Sequence, residues 1–94
     1  MRYHKLKGEV RMVQTEIIGA AIRDLRKSRK MSQEVLSGLA GLDRTHYSKI
    51  ERGLRSPTID TLFRIAHALD MPPHEVLISI ETALSKQENR KNGL

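Results

Sequence analysis

The sequence contains no cysteine and no tryptophan, and aromatic residues make up only 3% of its 94 positions. Without cysteine it can form no disulfide, thiol nucleophile or thiolate metal site, a composition compatible with a reducing cytoplasm. No apolar run approaches the roughly 20 residues that a membrane span needs. The N-terminal MRYHKLKGEVRM lacks the apolar segment of a secretory signal. These absences favour a cytoplasmic protein without a membrane partner, whose core is built from aliphatic residues and methionine.

Negative charge is also scarce in one part of the chain. The first 57 residues hold thirteen of the 17 Lys and Arg residues and six of the 11 acidic residues, a balance of +7, whereas the remainder carries −1. An uneven basic charge predicts that this end of the molecule faces a polyanion such as nucleic acid. Ordinary solubility charge is the alternative. The length suits one domain with one modest core.

Apolar residues recur at helical spacing in five segments, which predicts five helices between residues 15 and 84. The first runs from Thr15 to about Lys30. Ser32, Asp43 and Thr58 are predicted caps of the next three helices, and Pro73 suits the first position of the fifth. Gly41 and Gly53 are predicted to end the second and third helices. The inward stripes are predicted to include Val35, Leu39, Leu54, Ile59 and Leu77. No strand alternation is found. Residues 1–14 are interpreted as a basic arm and residues 85–94 as a polar tail.

The short turn between the second and third helices contains Gly41 and predicts a helix-turn-helix. In that geometry the second helix of the pair lies in the DNA major groove. One side of this helix carries Tyr47 and Ile50, with Tyr47 expected at the edge of the core. The other side has no central carboxylate, which phosphates would repel. Its donors are Arg44, Thr45, Ser48, Lys49 and Arg52, with His46 further round. Arginine can bind guanine through two parallel hydrogen bonds, and threonine offers a methyl group and a hydroxyl.

The segment from Ile22 to Leu69 resembles the lambda-repressor-like, Cro/XRE-type helix-turn-helix domains of bacterial and phage regulators. The resemblance depends on IRDLR, SQE, AGL, IERG, SPT and IAHAL at matching mutual spacing, and it covers roughly residues 15–80. The stretch GLDRTHYSKIERG is similar to the controller proteins of restriction–modification systems in particular. The resemblance implies an all-α, compact five-helix domain with the helix-turn-helix at helices two and three.

The resemblance also implies roles for individual residues. Arg44, Thr45 and Lys49 match base-reading positions, with Ser48 beside them and His46 at the flank. Gln33 and Arg52 match phosphate contacts, and Arg55 lies in a loop that reaches the backbone or the minor groove. Arg26 and Glu51 match an internal ion pair that braces helix one against helix three. Gly38 departs from the family pattern, which has a larger polar residue there.

The function predicted is that of a sequence-specific double-stranded DNA-binding transcriptional regulator, a repressor or autoregulator. It would bind a palindromic operator as a homodimer, with Ile78 of helix five in the dimer contact. A protein-interaction module of the same fold is the alternative, either a bridging factor or an antitoxin that acts through a toxin partner. A controller protein, a phage or plasmid repressor and an antitoxin all remain open.

No catalytic arrangement, cofactor or metal site is predicted, since His4, His67 and His74 lack ligand spacing. A bacterial or phage origin and a nucleoid location are implied.

Overall fold

The computed structural model describes the backbone of residues 4–6, 9–11 and 13–91, and the side chains of residues 14–87. Two short strands precede five helices. In chain order these elements are β1 (His4–Leu6), β2 (Glu9–Arg11), α1 (Val13–Ser28), α2 (Gln33–Ala40), α3 (Arg44–Glu51), α4 (Ile59–Ala68) and α5 (Pro73–Lys91). The predicted five-helix domain is confirmed, and only residues 41–43 separate α2 from α3.

The ends of the middle helices form where the sequence predicted them. The side chains of Ser32, Asp43 and Thr58 each accept a hydrogen bond from the backbone N–H three residues later. Each cap therefore satisfies one of the amide groups that a helix start leaves without a partner. Gly41 and Gly53 have φ angles of +68° and +78°, in the left-handed region that a residue with a Cβ atom rarely adopts. Both glycines thus allow the chain to leave its helix sharply.

The two ends of the chain differ from the prediction. β1 and β2 form an antiparallel hairpin where no strand alternation was found, because strands of three residues are too short to show a period. α5 begins at Pro73 as predicted but continues to Lys91. The run after residue 84 has no apolar period, yet its Lys, Gln, Glu and Arg residues are good helix formers. An existing helix extends through them, so most of the predicted tail is helical. Residues 1–3, 7, 8, 12 and 92–94 of the predicted arm and tail lie outside the described residues.

The core lies where α1, α2, α3, α4 and α5 meet. Its buried hydrophobic residues are Ala21, Ile22, Leu36, Ala40, Tyr47, Ile50, Leu62, Ile65, Ala66, Ala68, Leu69, Val76 and Ile80. The predicted inward stripes were wrong at five positions that are 49–76% exposed, namely Val35, Leu39, Leu54, Ile59 and Leu77. Periodicity identifies the side of a helix that faces the core. Burial of a given residue also needs a neighbouring helix that packs against that turn, which the local sequence does not specify.

A close contact between α1 and α3 holds the third helix in place. A Cβ atom added at Gly19 would lie 2.3 Å from the carbonyl oxygen of Ile50 and 2.6 Å from that of Glu51. Real Cβ atoms do not approach backbone oxygens so closely, so only glycine fits here. The backbone of α1 therefore rests directly on the last turn of α3, and the orientation of α3 is set by this contact.

Candidate nucleic-acid interface

α3 has a buried side and an outward side. Tyr47, Ile50 and Glu51 are buried, with exposed fractions between 0 and 4%. Arg44 and Thr45 are exposed in the first turn, and the remaining outward residues are half-buried, namely His46, Ser48 and Lys49. The structure thus places all five of these predicted site residues on one short helix, with the donor side chains outside and the single carboxylate inside.

Glu51 is the centre of a buried polar network that joins three helices. Arg26 of α1 donates from Nε to Oε2 of Glu51 at 2.6 Å and from Nη2 to Oε1 at 3.0 Å. Its Nη1 donates to the carbonyl oxygen of Met31 at 2.7 Å. Gln33 at the start of α2 donates from Nε2 to Oε1 of Glu51 at 2.9 Å, and the Tyr47 hydroxyl donates to Oε2. The guanidinium makes two parallel bonds to the carboxylate, a geometry that lysine could not reproduce.

The surroundings of these groups change their protonation equilibria. Burial alone would raise the pKa of Glu51, but hydrogen bonds from Arg26, Tyr47 and Gln33 outweigh it and hold that pKa below its usual range. The hydrogen bond to Glu51 raises the pKa of Arg26 despite its burial. Burial, followed by the Glu51 carboxylate, raises the pKa of Tyr47. Glu51 is therefore ionised and Tyr47 is a neutral donor at neutral pH.

Gln33 lies at the junction between this network and the outward side. It is the first residue of α2 and is half-buried. The sequence predicted a phosphate contact for its side chain, whereas the structure gives its amide nitrogen an internal acceptor on Glu51. The second amide hydrogen is still available to another acceptor, because a side-chain amide carries two donor hydrogens. Gln33 thus connects the start of α2 to the buried carboxylate of α3.

Two further predicted cations follow α3. Arg52 is the C-cap of the helix, and its backbone N–H donates to the carbonyl oxygen of Ser48. Arg52 and Arg55 are both exposed. Gly53 between them packs tightly against α1, since a Cβ atom there would lie 2.7 Å from Cα of Glu16. The turn is therefore fixed against α1 while its two guanidinium groups remain open to solvent.

Sequence reasoning missed the part that Tyr47 takes in the network. It placed this residue at the edge of the core, whereas the side chain is fully buried and donates to Glu51. The signal was present in the sequence, because Tyr47 and Glu51 are four residues apart and such pairs meet on one face of a helix. The contact between Gln33 and Glu51 had no local signal, since 18 residues separate them.

Neither a metal centre nor a membrane span is found in the described ranges. No group of three or more His, Cys, Asp or Glu residues in residues 14–87 could hold a metal ion. None of the described helices is long and apolar enough to cross a bilayer.

Known proteins are similar to this chain over its helical part. A family model described as helix-turn-helix matches residues 22–76. The control protein C.BamHI of Bacillus amyloliquefaciens is 39% identical over 62 residues, which are 65% of this chain and 76% of that protein. The uncharacterized HTH-type transcriptional regulator y4dL of Sinorhizobium fredii is 44% identical over 57 residues. Those residues are 61% of this chain, and the chain spans only 29% of the length of that relative.

A solved structure shows the same fold in a protein bound to DNA. It is the restriction–modification controller protein C.Esp1396I, a tetramer in complex with its natural 35 base-pair operator. Its TM-score is 0.71 at 28% sequence identity, and the match covers 77% of this chain and 95% of that one.

Proposed function

The chain belongs to the helix-turn-helix family, and from this premise we propose that it is a sequence-specific double-stranded DNA-binding transcriptional regulator. Its similarity to C.BamHI and C.Esp1396I supports a role like that of a restriction–modification controller, a repressor or autoregulator. Such a function requires no catalysis and no cofactor. The site of action would be the cytoplasmic DNA of a bacterium or phage.

The observation that carries this proposal is the division of charge across α3. Its one carboxylate, Glu51, is 4% exposed and engaged by internal donors. The outward side of α3 therefore presents only cations, hydroxyls and an imidazole. In the major groove the edge of guanine presents two hydrogen-bond acceptors, and Arg and Lys are the side chains that most often bind them. A solvated surface without a ligand would usually mix both charges.

The predicted contacts divide into base readout and backbone positioning. Arg44, Thr45 and Lys49 would read base edges, with Ser48 beside them and His46 at the flank, because the first turns of a recognition helix enter the major groove. Arg52, Arg55 and Gln33 would contact phosphates on either side. Phosphate contacts fix the register of the protein on DNA, and base contacts supply the specificity.

The proposed active form is a homodimer that contacts itself through α5. Val76 and Ile80 of this helix are buried in the core, whereas Leu77 and Ile78 are 49% and 55% exposed. Two adjacent exposed aliphatic side chains on one helix could form a self-complementary contact across a two-fold axis. A dimer would place two recognition helices about 34 Å apart, one turn of DNA, and would match a palindromic operator.

Selection of bound sequences from a random duplex pool tests this function. The selected duplex should bind at least about 10³-fold more tightly than unselected DNA at the same salt concentration. A palindromic consensus would support the dimer. No consensus and no affinity ratio would refute base readout and favour the protein-interaction module, either a bridging factor or an antitoxin with a toxin partner.

A further inference from the structure

The buried carboxylate of Glu51 has one donor that is only half-buried. Arg26 and Tyr47 are buried partners, whereas Gln33 stands at the first position of α2 and is partly open to solvent. A buried ion pair by itself is weak evidence for stability, because hydrophobic residues of similar volume often serve as well. The contact from Gln33 to Glu51 indicates a second role for the network, at a residue that the proposed function places on DNA.

This contact fixes which end of the Gln33 amide faces inward. A side-chain amide has an acceptor end and a donor end, and a free glutamine can present either one. The ionised carboxylate of Glu51 only accepts hydrogen bonds, so it holds the NH2 end, with Nε2 at 2.9 Å from Oε1. The two hydrogens of that NH2 group point about 120° apart. One is bonded to Glu51, and the other is left to donate to an acceptor outside the network.

The charge of Glu51 does not prevent an anion from binding beside it. Two acceptors that share one NH2 group lie about 5 Å apart, given N–O distances of about 2.9 Å. A lone carboxylate at that distance would repel a phosphate. Here Arg26 donates to both carboxylate oxygens, at 2.6 and 3.0 Å, so the pair carries no net charge. The network thus holds the amide of Gln33 without adding negative charge at the surface.

We propose that Glu51 is a positioning residue for DNA binding, which holds the Gln33 amide so that its second N–H donates to a backbone phosphate. This inference rests on the proposed function, in which Gln33 contacts phosphate. Without Glu51, the side chain of Gln33 would have to be ordered when DNA binds, and its carbonyl end would compete for the place of the NH2 group. The buried network therefore contributes to DNA affinity as well as to stability.

A double-mutant cycle on the selected duplex tests this role, with Glu51→Ala, Gln33→Ala and the double variant. Gln33→Ala should weaken binding at least about tenfold, since a hydrogen bond to a charged group is lost. Its slope of log K against log salt should match that of the wild type, because a neutral amide releases no counterion. Glu51→Ala should weaken binding about two- to tenfold for each bound protomer, the cost of ordering one free side chain. In the Gln33→Ala background, Glu51→Ala should have no further effect.

This coupling distinguishes a positioning residue from a purely structural one. All variants are measured at about 15 °C, near the usual maximum of protein stability, with circular dichroism as the check of folding. Tyr47→Phe is the matched control, because it removes the hydroxyl that donates to Oε2 and leaves Oε1 bonded to Gln33. It disturbs the same carboxylate, yet its effect on binding should be the same with and without the Gln33 side chain.

A measurement on the wild type tests the proposal even if Glu51→Ala does not fold. Nuclear magnetic resonance of protein with isotope-labelled glutamine follows the two amide protons of Gln33. Addition of the selected duplex should move one of them downfield, as it bonds to phosphate. The other should keep its position, because it stays bonded to Glu51.

Each contrary result has a distinct meaning. Equal effects of Glu51→Ala with and without Gln33, or movement of both amide protons or of neither, overturn the positioning role while the proposed function stands. If Gln33→Ala binds as tightly as the wild type, there is no phosphate contact for Glu51 to position, and the proposal also fails. If the wild type selects no sequence at all, the proposed function itself fails.

Discussion

Replacement of Glu51 by alanine should remove a large part of the stability of the domain. The variant would strand the Arg26 guanidinium, whose side chain is 11% exposed, and would leave Tyr47 and Gln33 without their acceptor. Removing one partner of a buried ion pair costs about 3–5 kcal/mol. Since a small domain has about 5–15 kcal/mol in total, we expect the melting temperature to fall by at least about 12 °C.

A surface pair in the same protein provides the control. Asp60 and Arg64 form an i,i+4 ion pair with an Nε–Oδ2 distance of 2.9 Å and side chains 77% and 51% exposed. Asp60→Ala should cost no more than about 0.5 kcal/mol, because solvent and salt screen exposed pairs. Thermal and urea unfolding followed by circular dichroism at pH 7 measure both variants. An unfolding free energy for Glu51→Ala within 1 kcal/mol of the wild type would refute the inferred role of the network.

The same network predicts a pH dependence. The folded state lowers the pKa of Glu51, so its stabilising contribution is present above the pKa of an unfolded glutamate, about 4.3. That contribution is lost as the pH falls through the lower folded value. Glu51→Gln cannot titrate, so the stability difference between wild type and this variant should shrink as the pH drops below about 4. A constant difference down to pH 2 would contradict the assigned pKa direction.

Five other substitutions test the DNA face, the dimer and the packing. Arg44→Ala should weaken binding to the selected duplex by about 1–3 kcal/mol and relax the preference at one base pair. Arg52→Ala should weaken binding to all sequences alike and lower the slope of log K against log salt by about one. Titration at several salt concentrations measures both. Ile78→Glu should shift the protein towards monomer in light scattering while helicity is retained, because it places two like charges near the proposed two-fold axis. Gly38→Ala should raise the unfolding free energy by up to about 1 kcal/mol, since nothing lies within 4 Å of the position of the added Cβ atom. Gly19→Ala should strongly destabilise the domain, because its added Cβ atom would clash with the backbone of α3.

Matched variants decide each of these outcomes. Arg23→Ala removes an exposed arginine of α1 and should leave the selected consensus unchanged. If Arg44→Ala also left the consensus unchanged, the base-reading side of α3 would be misassigned. Leu39→Glu adds a charge at an apolar side chain of α2 that is 58% exposed. It should leave the dimer intact. A stable dimer of folded Ile78→Glu would rule out the α5 contact, and a destabilised Gly38→Ala would contradict the open space at that position.

The sequence by itself determined the local features of this protein. Helix starts at Ser32, Asp43 and Thr58 follow from side chains that accept bonds within one turn, and the sharp exits at Gly41 and Gly53 follow from a missing Cβ atom. These effects act within a few residues, so the pattern alone predicted five helices and a tight turn. The donor-rich side of α3 could be identified in the same way, because helical periodicity separates its faces. The roles of its residues on DNA stay predictions.

Only the tertiary structure decided what distant elements do to one another. Whether an apolar residue such as Leu39 is buried depends on a neighbouring helix at its height, and periodicity carries no such information. The link from Gln33 to Glu51 joins residues 18 positions apart, and it exists because the fold brings the start of α2 to the end of α3. The hairpin that precedes α1 in the chain depends on pairing between two strands of three residues, too short to leave a pattern. In each case the deciding interaction forms between two segments that are distant in the chain, so the sequence of either segment alone does not predict it.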